Sequence, residues 1–307
     1  MAETLTSQTV ALVGGHGFIG SALMQRLLQA GARVKVISRR TSPTQPLPEG
    51  ASWHTVSSSN VDSLQRALSG AHAVVNLVGV LQSQRAQPWG PAFDEAHVQL
   101  PKRLAQAMQT AGVQRLVHIS ALGVGDGAPS MYLRSKTAGE AVLRQASHLQ
   151  LTVLRPSVVF GAGDSFVNLF ARLAKYSPFI PLATAQAQFQ PVSVNDLCTA
   201  ILHSLEHAST IGSTYECVGS EVFSLGEIVK LAAQASGHPR WVCPLPDSVA
   251  RAQAWLFEQL PGTPLLSRDN LDSASIPNTS SAGHMALLGV AHPESLRDNI
   301  AHILQSA

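Results

Sequence analysis

Cysteine is scarce. The 307 residues hold three, Cys198, Cys217 and Cys243, an odd number at spacings that fit neither a CxxC pair nor a metal-ligand set. That argues against a disulfide-stapled scaffold or a structural metal module and suits a reducing compartment. Charge is thin as well: Asp, Glu, Lys and Arg make up 13% of the chain with a net of +2, which is no footprint for a nucleic-acid partner. Long apolar runs are missing. The cleanest, Val74 to Val80 interrupted by Asn76, is far too short to span a bilayer. The opening MAETLTSQ has neither a basic n-region nor an apolar h-region, so no signal peptide is expected and a cytoplasmic location is the default. The twelve histidines are scattered. What remains is apolar content, 45% over a length that suits one large α/β domain or a domain with a smaller lobe.

The stretch from Thr9 to Gly20, TVALVGGHGFIG, organises the chain. An apolar strand pattern runs into glycines at Gly14, Gly17 and Gly20, and a helix pattern then opens at Phe18 and Ile19. Gly14 permits a tight turn off the strand, Gly17 lets backbone approach a pyrophosphate, and Gly20 lets helix and strand pack closely. The free amides and positive dipole end at such a helix start favour an anion. The strand before and the helix after supply the context the motif requires, and assign His16, Phe18 and Ile19 to the same phosphate-facing turn.

Strand patterns at Thr9–Val13, Arg33–Ser38, Ser52–Val56, Ala73–Leu77, Arg115–Ser120 and Leu151–Leu154 alternate with helix patterns at Phe18–Ala30, Val61–Ser69, Phe93–Ala111 and Met131–Ala146. This alternation predicts a doubly wound parallel sheet, a Rossmann fold, over residues 1–160. Pro101 should kink the fourth helix or mark its true start. Residues 161–307 are expected to form a smaller α+β lobe, packed intimately on the first part, sharing strands with it and not repeating the strand–helix pattern. Helices are predicted there at Phe166–Tyr176, Val194–His207, Ser224–Ser236 and Pro293–Ser306, short strands at Gln188–Val192 and Thr214–Val218, and a loop at Ser273–Gly283. Asp247–Leu260 reads as a helix with Val249, Ala252, Leu256 and Leu260 in one stripe. The stripe is expected to face the core; the alternative is a docking face for a protein partner or a membrane surface.

The end of the second strand decides between the two nicotinamide dinucleotides. An acidic residue there would bind ribose hydroxyls and repel a 2′-phosphate. Ser38 stands in that place and Arg39 and Arg40 follow, so NADP(H) is expected over NAD(H). Leu77, Val78, Gly79 and Val80, after the fourth strand, should line the adenosine and ribose side, with Asn76 either a contact or a structural hydrogen-bonder.

Tyr132 and Lys136 are four apart on a predicted helix and share one face. A phenol titrates near ~10, too high for easy proton exchange at neutral pH, and an adjacent ammonium is expected to lower it. The pair would serve hydride transfer with a nicotinamide, Tyr132 exchanging the proton and Lys136 holding ribose hydroxyls.

Gly14 to Gly20, Leu116-Val117-His118-Ile119-Ser120, Tyr132-Leu133-Arg134-Ser135-Lys136 and Leu154 to Gly161 together resemble the short-chain dehydrogenase/reductases of the extended or atypical NAD-dependent epimerase/dehydratase type. Phe189-Gln190-Pro191-Val192, Asn195-Asp196 and Leu266-Ser267-Arg268-Asp269-Asn270 extend the likeness. Within the family the chain is most similar to relatives of the nucleotide-binding accessory subunit of respiratory complex I. The resemblance implies a bound nicotinamide dinucleotide, with Pro156, Ser157 and Val158 near the nicotinamide. It also exposes departures. The family's catalytic Ser or Thr falls one or two positions beyond Ser120, where this chain has Ala121 and Leu122. Ser120 either reaches the substrate in its stead or only closes a strand. His97 stands where many relatives carry asparagine, and Ser57-Ser58-Ser59-Asn60 replaces an acidic residue near the adenine. Two functions follow. One is an NADP(H)-dependent reductase, dehydrogenase or epimerase that moves hydride between NADP(H) and a small carbonyl or alcohol, with Tyr132, Lys136 and Ser120 as the catalytic set and no metal; family analogy alone offers a sugar-nucleotide substrate as a further reading, for whose pyrophosphate the second half has no clear basic cluster. The other is a weakly catalytic or non-catalytic NADP(H)-binding accessory protein, peripheral to a membrane complex.

Overall fold

The computed structural model describes residues 4–57, 59–262 and 264–305; Ser58 and Ser306, each part of a stretch read from sequence, lie outside them. The first half runs β1 (Thr9–Val13), α1 (Phe18–Gln29), β2 (Arg33–Ser38), β3 (Ala51–Thr55), α2 (Val61–Leu68) and β4 (Ala73–Asn76). It continues through α3 (Pro91–Phe93), a π-helical turn (Asp94–Gln99), α4 (Leu100–Ala111), β5 (Arg115–Ile119), α5 (Met131–Gln145) and β6 (Gln150–Pro156). The second half adds β7 (Val159–Phe160), α6 (Val167–Tyr176), β8 (Phe179–Leu182), β9 (Gln188–Phe189), β10 (Val192–Ser193) and α7 (Val194–Glu206). After a 3-10 turn at Ala208–Thr210 come β11 (Thr214–Cys217), β12 (Phe223–Ser224), α8 (Leu225–Ala235), β13 (Trp241–Pro244) and α9 (Asp247–Gln259). Three helices close the chain: α10 (Arg268–Ser273), α11 (His284–Leu287) and α12 (Leu296–Gln305).

A seven-stranded sheet in the order β11-β6-β5-β4-β1-β2-β3 forms the centre, and every pairing in it is parallel. Side chains alternate across it. Val10 and Leu12 of β1 join Leu23, Leu27, Leu197 and Ile201 of α1 and α7 in one core layer. Ala11 and Val13 join Leu64, Leu68, Leu104 and Met108 of α2 and α4 in the other. Both faces are covered, so the strands read as near-continuous apolar runs. Sequence order reverses between β1 and β4, which opens a crevice at their carboxyl ends.

The second half departs from expectation in several respects. It does repeat the alternating pattern once: α7 covers the sheet beside α1, and β11 extends the sheet past β6. β11, expected as a short strand at Thr214–Val218, is an edge strand with only Cys217 fully buried, so its pattern gave no sign that it joins the main sheet. The strand predicted over Gln188–Val192 is broken. Pro191, which offers no N–H to a ladder, separates β9, paired with β12, from β10, paired with β7. A third ribbon pairs β8 with β13, two segments whose prolines hide them from a strand pattern.

Pro101 enters at the start of α4, directly after the π-helical turn. It has no N–H for the carbonyl four residues back, that of His97. A Cβ at Gly139 of α5 would collide with that carbonyl, so only glycine lets α5 pack there.

α9 reverses the expected face. Ala250 and Ala254 are buried against Ala183 and Leu271, whereas Val249, Leu256 and Leu260 are 49%, 54% and 56% exposed and Ala252 is exposed too. The helix lies close enough to its neighbours that small side chains make the contact. Among the described residues no helix is long and apolar enough to cross a membrane, and no cluster of His, Cys, Asp and Glu could hold a metal ion.

Candidate dinucleotide site

The glycine turn leaves β1 at Gly14, whose φ of 81° is left-handed and suits glycine. A Cβ at Gly20 would lie 2.6 Å from the Gly15 backbone, so the first turn of α1 rests directly on the loop. Gly15, which the motif reading left without a role, is equally constrained: its Cβ would lie 2.6 Å from Cβ of Leu12. Gly17 caps α1 with no side-chain partner and no acidic residue follows in the first turn. The amides of Phe18, Ile19 and Gly20 therefore have no acceptor among the described residues, because the first capped amide is that of Ser21, which donates to Gly17. Open amides at a dipole end, with no carboxylate competing, fit a pyrophosphate.

Beside the cradle, at the end of β2, Ser38 is buried. Its Oγ accepts from the Arg40 amide at 3.1 Å and pairs with Nδ1 of His16 at 3.1 Å. Trp53 Nε1 and Thr55 Oγ1 both donate to the Arg40 carbonyl, at 3.2 and 3.1 Å, pinning the backbone of the basic pair. The Arg39 and Arg40 side chains are exposed and meet no carboxylate within ion-pair distance among the described residues. Partial burial and then the charges of Arg40 and Arg39 push His16 below its usual value. Asn60 caps α2 by accepting from the Ser63 amide, at 3.0 Å.

On the far side of the switch point, Asn76 is structural. Its Oδ1 accepts from the Val78 amide at 3.2 Å and its amide donates to Nδ1 of His118 at 3.1 Å. The Val80 amide donates to Nε2 of His97, whose Nδ1–H donates to Ser135 Oγ, and Ser135 donates in turn to the Tyr132 carbonyl. His97 thus has both ring nitrogens satisfied in its neutral form. Burial first, then the charge of Lys136, pushes it down to about 2.

Tyr132 and Lys136 lie in the first turns of α5, as the spacing predicts. Ser130 caps this helix, and Asp269, brought from α10, accepts from the Met131 and Tyr132 amides at 2.7 and 3.1 Å. The Tyr132 ring stands edge-on to His97 and Phe93, with centroids 5.5 and 6.0 Å away. Lys136 is buried and donates to the Ile119 carbonyl at 3.1 Å, and a Cβ on Gly79 would sit 3.4 Å from its Nζ. The expected lowering of the phenol is absent. Burial pushes Tyr132 up to about 12, and Lys136 does not counter it, because burial pushes the ammonium itself down to about 8 with only Glu140 opposing.

Behind the pair lies a polar layer that the spacing argument did not find. Glu140, one turn beyond Lys136, is gripped by Arg155 at 2.9 and 2.8 Å. Burial raises its carboxyl, but the Arg155 hydrogen bonds outweigh that and hold it below the usual range. Nε2 of His118 and Oγ of Ser120 are buried without a hydrogen-bond partner of ordinary geometry, although Ser120 lies close enough to help keep Glu140 ionised. Ala121 is buried with Val124, Ala128 and Leu133 against Tyr132, so the position next to Ser120 is apolar in fact as well as in sequence. Leu122 is buried too. The Ser157 hydroxyl is held by Asn278, while Pro156 closes β6 and Val158 follows it, half-buried.

A doubly wound sheet, a glycine turn with open amides at its switch point and a Tyr–Lys face across the crevice define a Rossmann dinucleotide-binding protein. The family model for the NAD dependent epimerase/dehydratase family matches residues 10–218. The chain belongs to that family. It is 29% identical over 294 residues to the mitochondrial NADH dehydrogenase (ubiquinone) 1 alpha subcomplex subunit 9 of Dictyostelium discoideum, covering 93% of this chain and 81% of that one. To the Arabidopsis thaliana subunit of the same name it is 31% identical, over 82% of this chain but only 64% of that one, less than two thirds of its length. A solved UDP-glucose 4-epimerase from Thermus thermophilus, in complex with NAD, shares the fold at a TM-score of 0.74 with 21% identity, covering 97% of this chain and 98% of that one.

Proposed function

We propose that the chain binds NADP(H) in preference to NAD(H) and transfers a hydride between it and a small carbonyl or alcohol. The observation that carries this is a basic end and a phenolic end at one crevice: Ser38, His16 and unpaired Arg39 and Arg40 on one side, Tyr132 and Lys136 on the other. Two guanidiniums and no carboxylate favour a 2′-phosphate. When bound, the dinucleotide supplies or accepts the hydride. Tyr132 keeps its proton at neutral pH and would give it to the oxygen of a carbonyl being reduced. Lys136 holds ribose hydroxyls, and Ser120 Oγ, buried and unpartnered, is the hydroxyl left to meet a substrate oxygen. The apolar Ala121 and Leu122 favour a hydrophobic substrate. In this reading residues 161–307 roof the crevice.

A second reading has support of its own. The phenol is pushed up, the usual hydroxyl is replaced by apolar groups, and α9 turns Val249, Leu256 and Leu260 outward. These favour an accessory protein that holds NADP(H) and meets a protein partner through Asp247–Leu260 at the periphery of a membrane complex, as the names of its relatives suggest. Fluorescence titration with NADPH and NADH, followed by a carbonyl panel that includes quinones, separates the two. Tighter NADPH binding with oxidation lost in Tyr132→Phe is the expected result. Tight binding without any turnover supports the accessory role, and tighter NADH binding overturns the coenzyme assignment.

A further inference from the structure

Residues 165–195 contain no Asp or Glu, and neither do residues 228–246. The fold brings these two acid-free stretches together. β8 and β13 pair in parallel with Phe179 in register with Trp241. Arg240 donates from Nε to the Ala174 carbonyl at 2.7 Å, tying the start of β13 to the end of α6. Three aromatic side chains at this junction face water: Tyr176 is 82% exposed, Trp241 81% and Phe179 54%. Lys175 lies 5.8 Å from the Tyr176 ring centroid, and a cavity of about 360 Å³ between α8 and β13 is lined by Lys230, Gln234, Arg240 and Trp241 among others. Among the described residues no carboxylate lies within ion-pair distance of Arg172, Lys175, Lys230 or Arg240. Glu227, the nearest acid along α8, is taken up by the Ser224 cap.

A bare Trp–Tyr–Phe cluster set among unpaired cations has a particular chemistry. Amphipathic aromatics settle where one end is apolar and the other wet, and long basic side chains lay their stems on apolar surface while their heads reach phosphate. Lysine is depleted at protein–protein interfaces, yet Lys175 and Lys230 are part of this cluster. A nucleic acid would demand a basic footprint that a net charge of +2 does not provide. We propose that this face docks on an anionic phospholipid bilayer: Trp241, Tyr176 and Phe179 enter the headgroup region, the four cations meet lipid phosphates, and one headgroup phosphate seats between α8 and β13. The proposal uses none of the outward stripe of α9 and does not depend on the coenzyme.

Vesicle co-sedimentation of the whole chain tests it. The protein sediments with phosphatidylcholine vesicles doped with phosphatidylglycerol, not with phosphatidylcholine alone, and high salt releases it. A Lys175→Glu, Lys230→Glu double variant binds those vesicles at least about twentyfold more weakly, since each basic residue near an anionic surface contributes roughly a fivefold factor. The blue shift of tryptophan emission on binding is reduced in Trp241→Ala. Unchanged NADPH affinity in these variants shows that they fold. Equal binding to both vesicle types, no binding to either, wild-type binding by the double variant, or a response to inorganic phosphate or an oligonucleotide but not to vesicles overturns the proposal.

Discussion

At the Arg39–Arg40 end of the crevice three helix amides and two exposed guanidiniums have no protein acceptor among the described residues, while Ser38 ties His16 to the Arg40 amide. At the Tyr132–Lys136 end the protein has hydrogen-bonded much of its own polar chemistry, with Lys136 on a carbonyl, His97 saturated and Glu140 clamped by Arg155. The first end presents donors that fit an anion. The second is largely complete in itself; among the described residues its fully buried side-chain atoms without a hydrogen-bond partner of ordinary geometry are Ser120 Oγ and His118 Nε2. On the proposed reading, binding and chemistry are separately built, and substitutions should separate them.

The largest effect is expected from Gly20→Ala. Its Cβ would press on backbone at 2.6 Å, which cannot yield by rotating a side chain. A stability loss of about 3 kcal/mol in denaturant melts and loss of dinucleotide binding at both ends are expected, the high side of overpacking costs. Next comes Arg39→Ala with Arg40→Ala. Losing two charge-assisted contacts should weaken NADPH binding by about 100-fold and leave NADH within about twofold, so titration would show the selectivity vanish.

The third prediction concerns pH. Burial lowers His118 to about 3 and His97 to about 2, so both stay neutral in the folded chain while the unfolded chain protonates them below about 6.5. The unfolded state then binds more protons, and stability falls as pH drops through that window, by up to about 1.4 kcal/mol per pH unit for each histidine. His118→Asn should remove one histidine's share of that slope in melts taken between about pH 6 and 4. Lys136 acts in the opposite window. With a folded value of about 8, below that of the unfolded chain, it lets stability rise with pH above 8. The smallest effect is expected from Ala121→Ser, which puts a hydroxyl beside Tyr132. Turnover of a carbonyl should rise by about tenfold at most with NADPH affinity unchanged, and a fall in turnover would count against substrate polarisation at that position.

Much of this architecture was legible in order along the chain. The glycine spacing between a strand and a helix pattern, the Tyr-x-x-x-Lys face and the helix over Ser224–Ser236 are local, and each was placed as expected. The unread parts come from contacts between distant residues. Asp269 lies in a stretch whose likeness was noted, but its hold on the α5 amides spans 138 and 137 residues and leaves no periodic trace. Arg155 on Glu140 spans only 15 residues, but it joins a strand to a helix and so follows neither period. On α9 the stripe of larger apolar residues suggested the buried face, but helix proximity selected the alanines instead.

That long-range hold by Asp269 makes the two ends of the crevice unequal in how much chain they require. The phosphate cradle and its arginines are assembled within the first sixty residues and the sheet around them. The start of α5, which carries the phenol, is moored by Asp269, so on the proposed reading a polypeptide ending before that mooring would keep a place for the coenzyme while the proton donor drifted. A shortened relative could in this way keep its nucleotide and lose its reaction with no change at Tyr132 or Lys136.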